Sequence, residues 1–136
     1  MKARLMPLTN RETGAPLLDV SFPQRFDVVV LGMGTDGHTA SLFPDGDQLR
    51  EALADDAPPL LAITAPGAPE PRVTMSLRRI NATRSCFLHL EGTPKHETLR
   101  RALRTGPTEA MPIRAFLRQS SPQIHLYTTP PLEESP

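Results

Sequence analysis

The sequence is poor in cysteine and in aromatic residues, and each scarcity excludes a class of protein. With one cysteine, Cys86, among 136 residues, the chain cannot form an internal disulfide, which fits a reducing compartment. Five phenylalanines, one tyrosine and no tryptophan leave few rings for stacking on bases, so no nucleic-acid partner is expected. Because no apolar run approaches the roughly 20 residues that span a bilayer and no signal-peptide pattern is present, we expect a cytoplasmic protein with no membrane partner.

A net charge of either sign is also absent, since 15 basic and 15 acidic side chains balance. The balance does not hold along the chain. Residues 1–71 carry five basic and ten acidic side chains (net −5), residues 72–118 carry ten basic and three acidic ones (net +7), and two acidic residues follow. The basic block can attract an anion, although most surface charge only solvates a protein. Composition therefore leaves an anion site open and identifies no partner.

Apolar runs that alternate with helical patterns predict one α/β domain, with a parallel-rich sheet and flanking helices. The clearest strand is Phe26–Leu31. Because nearly every position in it is apolar, the run is typical of a strand that is buried on both faces of a parallel sheet. Further strands are predicted at residues 60–64, 85–90 and 123–128, and a weaker one at residues 2–8.

Three helix starts are predicted. Thr93 is placed as an N-cap with Pro94 at the first helical position, and Gly106 with Pro107 ends that helix. Ser76 caps a shorter helix, and Pro112 opens another. Residues 66–71, which contain three prolines and a glycine, are predicted to form a loop.

The most informative stretch, GMGTDGHTASLFP at residues 32–44, directly follows the clearest strand. Ligands of open α/β sheets bind at the carboxyl ends of strands. The three glycines allow backbone N–H groups to approach an anion or an oxyanion closely. The glycine spacing also fits a dinucleotide fingerprint, but Pro44 stops the helix that this motif needs and no carboxylate closes the next strand. Dinucleotide binding is therefore disfavoured.

His38 is the candidate catalytic residue, because an imidazole can transfer a proton near neutral pH. The alternative is a surface histidine that is bonded to a backbone carbonyl. Asp36 either orients the imidazole or closes an Asx turn with Gly37, and the sequence leaves both open. The four histidines show no paired metal-ligand spacing, so no metal is expected.

Two basic residues are candidate phosphate anchors. Lys95 falls in the first turn of a predicted helix, where the helix dipole favours anions, so a phosphate would offset an otherwise unfavourable lysine. Arg72 carries a planar guanidinium that suits phosphate recognition. Five further arginines of the block are expected to face solvent, namely Arg78, Arg79, Arg100, Arg101 and Arg104.

Residues 32–44 resemble the signature of the glucosamine-6-phosphate isomerase/6-phosphogluconolactonase family. His38-Thr39-Ala40-Ser41-Leu42-Phe43-Pro44 is similar to the lactonases, whereas the deaminases continue His-Ile-Ala-Phe-Asn-Glu-Pro. Residues 71–76 and 92–95 also resemble lactonase segments. The similarity runs from about residue 4 to residue 128, and it covers only the C-terminal part of the family.

The resemblance implies a phosphosugar isomerase-like, Rossmann-type sheet whose N-terminal part is absent, with residues 1–136 as the C-terminal portion of one lactonase-like domain. It implies hydrolysis of 6-phospho-D-glucono-1,5-lactone in the oxidative pentose phosphate pathway, with no metal or organic cofactor. His38 and Asp36 are then the catalytic residues. The implied substrate-binding residues are Gly34, Thr35, Gly37, Arg72 and Lys95.

Three alternatives stay open beside this expectation. The chain can be a non-catalytic phosphosugar-binding remnant. It can also be one half of a split enzyme, completed by an upstream N-terminal fragment or by self-association. The sibling deaminase is the third alternative, and Thr39 to Phe43 disfavour it.

Overall fold

The computed structural model describes residues 5–19 and 21–132. The weak strand expected at residues 2–8 lies partly outside this range, and residues 5–8 form no strand. The elements along the chain are β1 (Phe26–Leu31), α1 (Leu49–Ala52), β2 (Leu60–Ala65), β3 (Ala68–Met75), α2 (Leu77–Asn81), β4 (Thr83–Glu91), α3 (Thr93–Leu103), α4 (Ile113–Leu117) and β5 (Ile124–Thr129).

A three-stranded parallel sheet with the order β1-β4-β5 forms the centre of the molecule. This confirms the predicted α/β class and the parallel pairing of these three strands. Alternate residues of the central strand β4 are buried, because consecutive strand residues point to opposite faces. Cys86, Leu88 and Leu90 are at most 1% exposed and define the inner face of the sheet.

The helices and the β2–β3 hairpin pack on that inner face. One apolar cluster contains Leu88 and Leu90 of β4 together with Leu99 of α3 and Phe116 of α4. Each fully buried side chain of this size contributes about 1.5–3 kcal/mol relative to an exposed one. Within the described ranges, no helix is both long and apolar enough to cross a membrane.

Residues 60–75 form an antiparallel hairpin that is separate from the parallel sheet. The prediction of a loop at residues 66–71 is therefore correct only for the turn at residues 66–67, because residues 68–71 belong to β3. Residues 60–64 form a strand as predicted, but this strand does not extend the parallel sheet. Pro69 and Pro71 lie in β3, whose only strand partner among the described residues is β2, next to a register shift. Edge strands and bulges tolerate proline, because they do not need every backbone N–H for pairing.

The predicted helix starts are nearly correct. Ser76 accepts a hydrogen bond from the backbone N–H of Arg79 at 3.3 Å, which confirms it as an N-cap. The helix α3 is capped by Gly92 rather than by Thr93, so Pro94 takes the second helical position. Pro112 immediately precedes α4, as predicted.

Two arginines of the basic block are buried and have structural roles. Arg79 is 9% exposed, so the expectation that it faces solvent is wrong. It donates to the carbonyl of Pro23 and lies over the ring of Phe26. Arg114 donates to the carbonyls of Ala102 and Arg101 at the end of α3, both at 3.1 Å, and to that of Pro107 at 2.9 Å.

Strand β1 is not buried on both faces, contrary to its sequence pattern. Val28 is 56% exposed and Val30 is 66% exposed, while Leu31 on the opposite face is buried. No helix among the described residues covers the face of the sheet that carries Val28 and Val30, because the helical layer packs on the inner face.

Candidate active site

The glycine loop, residues 32–38, begins where β1 ends and turns back on itself. The N–H of Gly34 donates to the carbonyl of His38 at 2.9 Å. The N–H of Gly37 donates to the carbonyl of Gly34 at 3.0 Å. Gly37 has a φ of 85°, and a β-carbon there would lie 2.9 Å from Met111. Its carbonyl accepts from the N–H of Ile113 at 2.9 Å. The loop is therefore anchored to the start of α4 and requires glycine at position 37.

Asp36 and His38 form a hydrogen-bonded pair within this loop. Nδ1 of His38 lies 2.6 Å from Oδ1 of Asp36, and the same oxygen accepts the backbone N–H of His38 at 3.0 Å. Asp36 therefore closes an Asx turn and also orients the imidazole. The structure shows both of the arrangements that the sequence left open. A carboxylate acceptor at Nδ1 selects the tautomer whose Nε2 is free to accept a proton.

The charge of Asp36 is stabilised by its partner. Partial burial raises the pKa of Asp36, but hydrogen bonds from the backbone and ring of His38 outweigh it and hold the pKa below its usual value. The carboxylate is therefore ionised near neutral pH and remains an acceptor for the imidazole.

Phe43 holds the imidazole from one side. Its ring is stacked on that of His38 with 4.3 Å between the centroids and 29° between the planes. The guanidinium of Arg72, on β3, lies 5.7 Å from the centroid of the Phe43 ring. The separation between Arg72 and the His38 ring is thus no more than the sum of these two distances. Arg72 lies on β3, and not in a loop as expected, and Phe43 is the residue that contacts both Arg72 and His38.

Lys95 reaches the start of the glycine loop from the first turn of α3. Its ammonium group donates to the carbonyl of Met33. Lys95, Gly34 and His38 line one cavity of about 380 Å³. The structure thus brings together three of the predicted site residues, and Asp36 joins them through its bond to His38.

Thr35 lies on the other side of the loop. Its carbonyl accepts hydrogen bonds from Oγ1 of Thr98 at 3.2 Å and from Arg101 at 2.6 Å. Arg101 is exposed, as expected, and it also anchors the loop through this hydrogen bond. Thr35 borders a second cavity of about 440 Å³, which Arg100, Arg101 and Arg104 also line.

The backbone N–H groups of the loop do not all point to a ligand. Those of Gly34 and Gly37 donate within the loop. The assignment of both residues to substrate binding stays a prediction. In the described part of the chain, the N–H of Thr35 donates to no protein acceptor, whereas the N–H of Asp36 donates to its own carboxylate.

The spacing of residues along α3 is a sequence signal for two anchors of the glycine loop, Thr98 and Arg101. Lys95, Thr98 and Arg101 recur at intervals of three, which places them on one side of a helix. All three donate to carbonyls of the glycine loop. Once Lys95 is assigned to the site, the same helix side predicts further contacts with the loop.

No other chemically active cluster emerges from the described part of the chain. Among residues 5–19 and 21–132, no three His, Cys, Asp or Glu side chains are grouped so that they could hold a metal ion. Burial raises the pKa of the Cys86 thiol, so this side chain acts as an unreactive apolar residue of the inner face.

These features define an α/β protein with an acid–base pair at the carboxyl end of a parallel strand and a lysine in the same cavity. A model of the glucosamine-6-phosphate isomerases/6-phosphogluconolactonase family matches residues 9–126, and the chain belongs to this family.

Relatives and solved structures agree with this assignment. The chain is 44% identical over 118 residues to the 6-phosphogluconolactonase of Rhizobium meliloti. This match covers 86% of this chain and 47% of the relative. It is 38% identical over 125 residues to the 6-phosphogluconolactonase of Pseudomonas aeruginosa. This match covers 89% of this chain and 52% of the relative. A crystal structure of a 6-phosphogluconolactonase from Shewanella baltica superimposes with a TM-score of 0.74 at 43% identity, covering 79% of this chain and 46% of that one. The chain thus spans about half the length of the relatives it matches.

Proposed function

We propose that this chain carries the acid–base site of a 6-phosphogluconolactonase, which hydrolyses 6-phospho-D-glucono-1,5-lactone to 6-phospho-D-gluconate in the oxidative pentose phosphate pathway. The observation that carries the proposal is the Asp36–His38 pair, which shares a cavity with Lys95. The names of the relatives support the substrate, and residues 38–44 favour the lactonases over the deaminases.

His38 acts first as a general base in the proposed reaction. With Nδ1 held by Asp36, Nε2 takes a proton from water, and the resulting hydroxide attacks the lactone carbonyl. The carbonyl electrons move to oxygen and form a tetrahedral oxyanion. The N–H of Thr35 is the donor that we assign to this oxygen.

The same histidine completes the reaction as a general acid. Collapse of the intermediate re-forms the carbonyl and breaks the bond to the ring oxygen, which takes the proton from His38. The imidazole returns to its neutral form, and the product is an open-chain acid. A lactone is an activated ester, so the proposed step uses no metal or organic cofactor.

Lys95 is the primary phosphate anchor in this proposal. Lys95 lines the cavity together with His38 from the first turn of α3, where the helix dipole favours an anion. The helix backbone contributes little, because Pro94 has no N–H and the N–H of Lys95 donates to Gly92. Arg72, exposed beyond Phe43, is the second anchor.

Residues 1–136 then correspond to the C-terminal portion of a lactonase domain in a cytoplasmic enzyme whose small-molecule partner is the phosphorylated lactone. One alternative is a split enzyme in which this chain holds the base and another polypeptide completes the site. A phosphosugar-binding remnant would show ligand binding without turnover. A deaminase would release ammonia from glucosamine 6-phosphate.

The test is lactone hydrolysis by the purified chain, alongside a His38→Asn variant. The lactone is generated freshly, because it also opens spontaneously, and the spontaneous rate is subtracted. Turnover by the chain that falls about 100-fold or more in the variant is the expected result. Full turnover by His38→Asn would overturn the mechanism, and turnover that appears only with a second polypeptide would identify the split enzyme.

A further inference from the structure

The hydrogen bond between His38 and Asp36 holds only one atom of the imidazole, Nδ1, and leaves the tilt of the ring to other contacts. The torsion that sets the ring plane of a histidine is soft, with a broad and roughly twofold preference. A tilt about the held atom would move Nε2, across the ring, out of the direction that the proposed proton transfer needs. A second contact must therefore fix the plane of the ring.

Phe43 provides a contact to the face of the His38 ring. The two rings are stacked, with 4.3 Å between their centroids and 29° between their planes, so the imidazole cannot tilt towards Phe43. The cavity that His38 shares with Lys95 is lined by residues 32–34, 38–40 and 95, and Phe43 is not part of that lining. Phe43 thus touches the base but not the space beside it.

The tip of the β2–β3 hairpin, residues 65–68, holds Phe43 in place. Phe43 is 6% exposed and forms a small apolar cluster with Ala65 and Ala68, apart from the main core. The guanidinium of Arg72, on β3, lies 5.7 Å from the centroid of the Phe43 ring, within the range of a cation–π contact. A ring that is buried against both strands of the hairpin is a firm support for the imidazole.

The chain on either side of Phe43 is bonded to the same hairpin. Before it, the N–H of Ser41 donates to Oγ1 of Thr74 at 3.2 Å. After it, the carboxylate of Asp47 accepts the N–H of Thr64 at 2.9 Å and the hydroxyl of the same residue at 3.0 Å. The N–H of Asp47 donates in return to the carbonyl of Thr64 at 2.9 Å. The segment that carries Phe43 therefore moves together with the hairpin.

The turn of the hairpin also lies close to the carboxylate of the pair. A β-carbon on Gly67 would lie 3.8 Å from Oδ2 of Asp36. The hairpin tip is thus next to both members of the acid–base pair, to Asp36 through Gly67 and to His38 through Phe43.

We infer that Phe43 is a positioning residue of the acid–base pair. Its ring fixes the plane of the imidazole, so that Nδ1 stays on Asp36 and Nε2 keeps the direction needed for proton transfer. The hairpin tip is the support on which Phe43 rests. The inference deepens the proposed function and rests on it for the reaction that His38 performs.

Loss of the Phe43 ring should change the tautomer of His38. Once the imidazole tilts, its bond to Asp36 weakens, and the proton is no longer confined to Nδ1, because a neutral imidazole can carry it on either nitrogen. The rate of proton transfer should fall with it. KM should not change, since the residues that line the cavity are the same.

The test compares Phe43→Leu, which removes the ring but stays apolar, with Phe43→Tyr, which keeps the ring. Phe43→Leu should lower kcat for lactone hydrolysis by about tenfold and leave KM within about twofold, whereas Phe43→Tyr should restore most of kcat. Nitrogen NMR is recorded at about pH 8.5, where an ordinary imidazole is neutral. In Phe43→Leu, the Nδ1 signal of His38 should move from the range of a protonated ring nitrogen towards that of an unprotonated one. The His38→Asn variant assigns this signal.

Phe87→Leu is the matched control. Phe87, on β4, stacks on His125 of β5 with 5.2 Å between the centroids and the same 29° between the planes. The change removes a contact of the same kind outside the glycine loop, so kcat and the nitrogen signals of His38 should stay as they are. Thermal unfolding verifies that each variant folds. Phe43→Met, which is also apolar and without a ring, is measured in parallel so that the result does not depend on one variant.

Three results would overturn the inference. One is a kcat that the loss of the ring leaves unchanged, and another is a rise in KM alone, which would place Phe43 in substrate binding. The third is an Nδ1 signal that does not move, which would show that Asp36 fixes the ring unaided. The NMR measurement needs no turnover, so failure of the proposed function is separate: a chain that hydrolyses no lactone would refute the lactonase assignment, and the Nδ1 signal would still decide whether Phe43 positions the imidazole.

Discussion

A β-carbon on Gly34 would lie 2.1 Å from Nδ1 of His38 and 2.6 Å from Oδ1 of Asp36. The side chain of any other residue would therefore occupy the space of the hydrogen bond between the two. Gly34→Ala should separate the imidazole from the carboxylate and lower the rate of lactone hydrolysis by about 100-fold, the range of a positioned general base. Steady-state kinetics of lactone hydrolysis by the purified protein measure this effect.

Gly67→Ala is the control for that change. A β-carbon on Gly67 would lie 3.8 Å from Oδ2 of Asp36, which is an ordinary van der Waals separation. The methyl group therefore faces the same carboxylate without displacing it, and kcat should stay within about threefold of the unchanged enzyme. Equal losses in the two variants would contradict the steric argument.

Asp36→Asn should make the stability of the chain less dependent on pH in acid. A carboxyl whose pKa is lowered in the folded state stabilises that state above its unfolded pKa, and the contribution is lost as the pH falls through the folded value. The unfolded value is close to 3.8. The difference in unfolding free energy between the unchanged chain and Asp36→Asn should thus be constant above about pH 5 and shrink below pH 3.8.

Chemical denaturation at a series of pH values measures this difference, which should be below about 1 kcal/mol because the side chain of Asp36 is 45% exposed. The asparagine oxygen can still accept the backbone N–H of His38, so the turn is retained while the charge is lost. A difference that grows as the pH falls would have the wrong sign and would exclude Asp36 as the cause.

Lys95→Ala and Arg72→Ala should raise the KM for the phosphorylated lactone. We expect the larger increase, about tenfold or more, for Lys95, because Lys95 lines the same cavity as His38, whereas Arg72 lies against Phe43 outside that lining. Lys95→Arg serves as the charge-conserving control. An unchanged KM in both alanine variants would refute their assignment as phosphate anchors.

Arg101→Ala should loosen the glycine loop without unfolding the protein. The substitution removes the 2.6 Å hydrogen bond to the carbonyl of Thr35, which is worth about 1 kcal/mol at an exposed position. Amide exchange at residues 35–38 should become faster. Arg100→Ala, the exposed neighbour on α3, should change this exchange far less, and equal effects of the two variants would show that charge alone is responsible.

Arg114→Ala should destabilise the whole chain by roughly 3 kcal/mol, because three carbonyl groups near the end of α3 lose a charged donor in a buried environment. Denaturant unfolding measures the loss. Arg84→Ala is the surface control, since Arg84 and Asp27 form an exposed pair at 3.3 Å that contributes less than about 1 kcal/mol. Similar losses in both variants would contradict the structural role of Arg114.

The features that could be predicted from the sequence are those that depend on near neighbours. The apolar run of β1, the glycines and the histidine after them lie within 13 residues, so strand, turn and base follow from local propensity and spacing. Ser76 caps α2 for the same reason, because an N-cap needs only the N–H groups of the next turn. The family resemblance rests on the same short stretch.

The errors fall where burial or pairing is decided by distant segments. Residues 66–71 have loop chemistry, yet they are drawn into a hairpin because β2 offers a partner for β3. Arg79 has the charge of a surface residue, yet it is buried against the backbone carbonyl of Pro23, which the fold brings to it. Propensity is a weak prior, and tertiary contacts override it.

The sequence by itself determined that a histidine follows a glycine turn at the end of a parallel strand. Only the tertiary structure decided what surrounds that histidine. Lys95 and Arg101 reach the loop from 62 and 66 residues away, because packing of α3 on the inner face places its first turns beside β1. Phe43 meets His38 for a similar reason, since the chain folds back after Thr39. Contacts of this kind depend on the packing of whole elements, which no local pattern encodes.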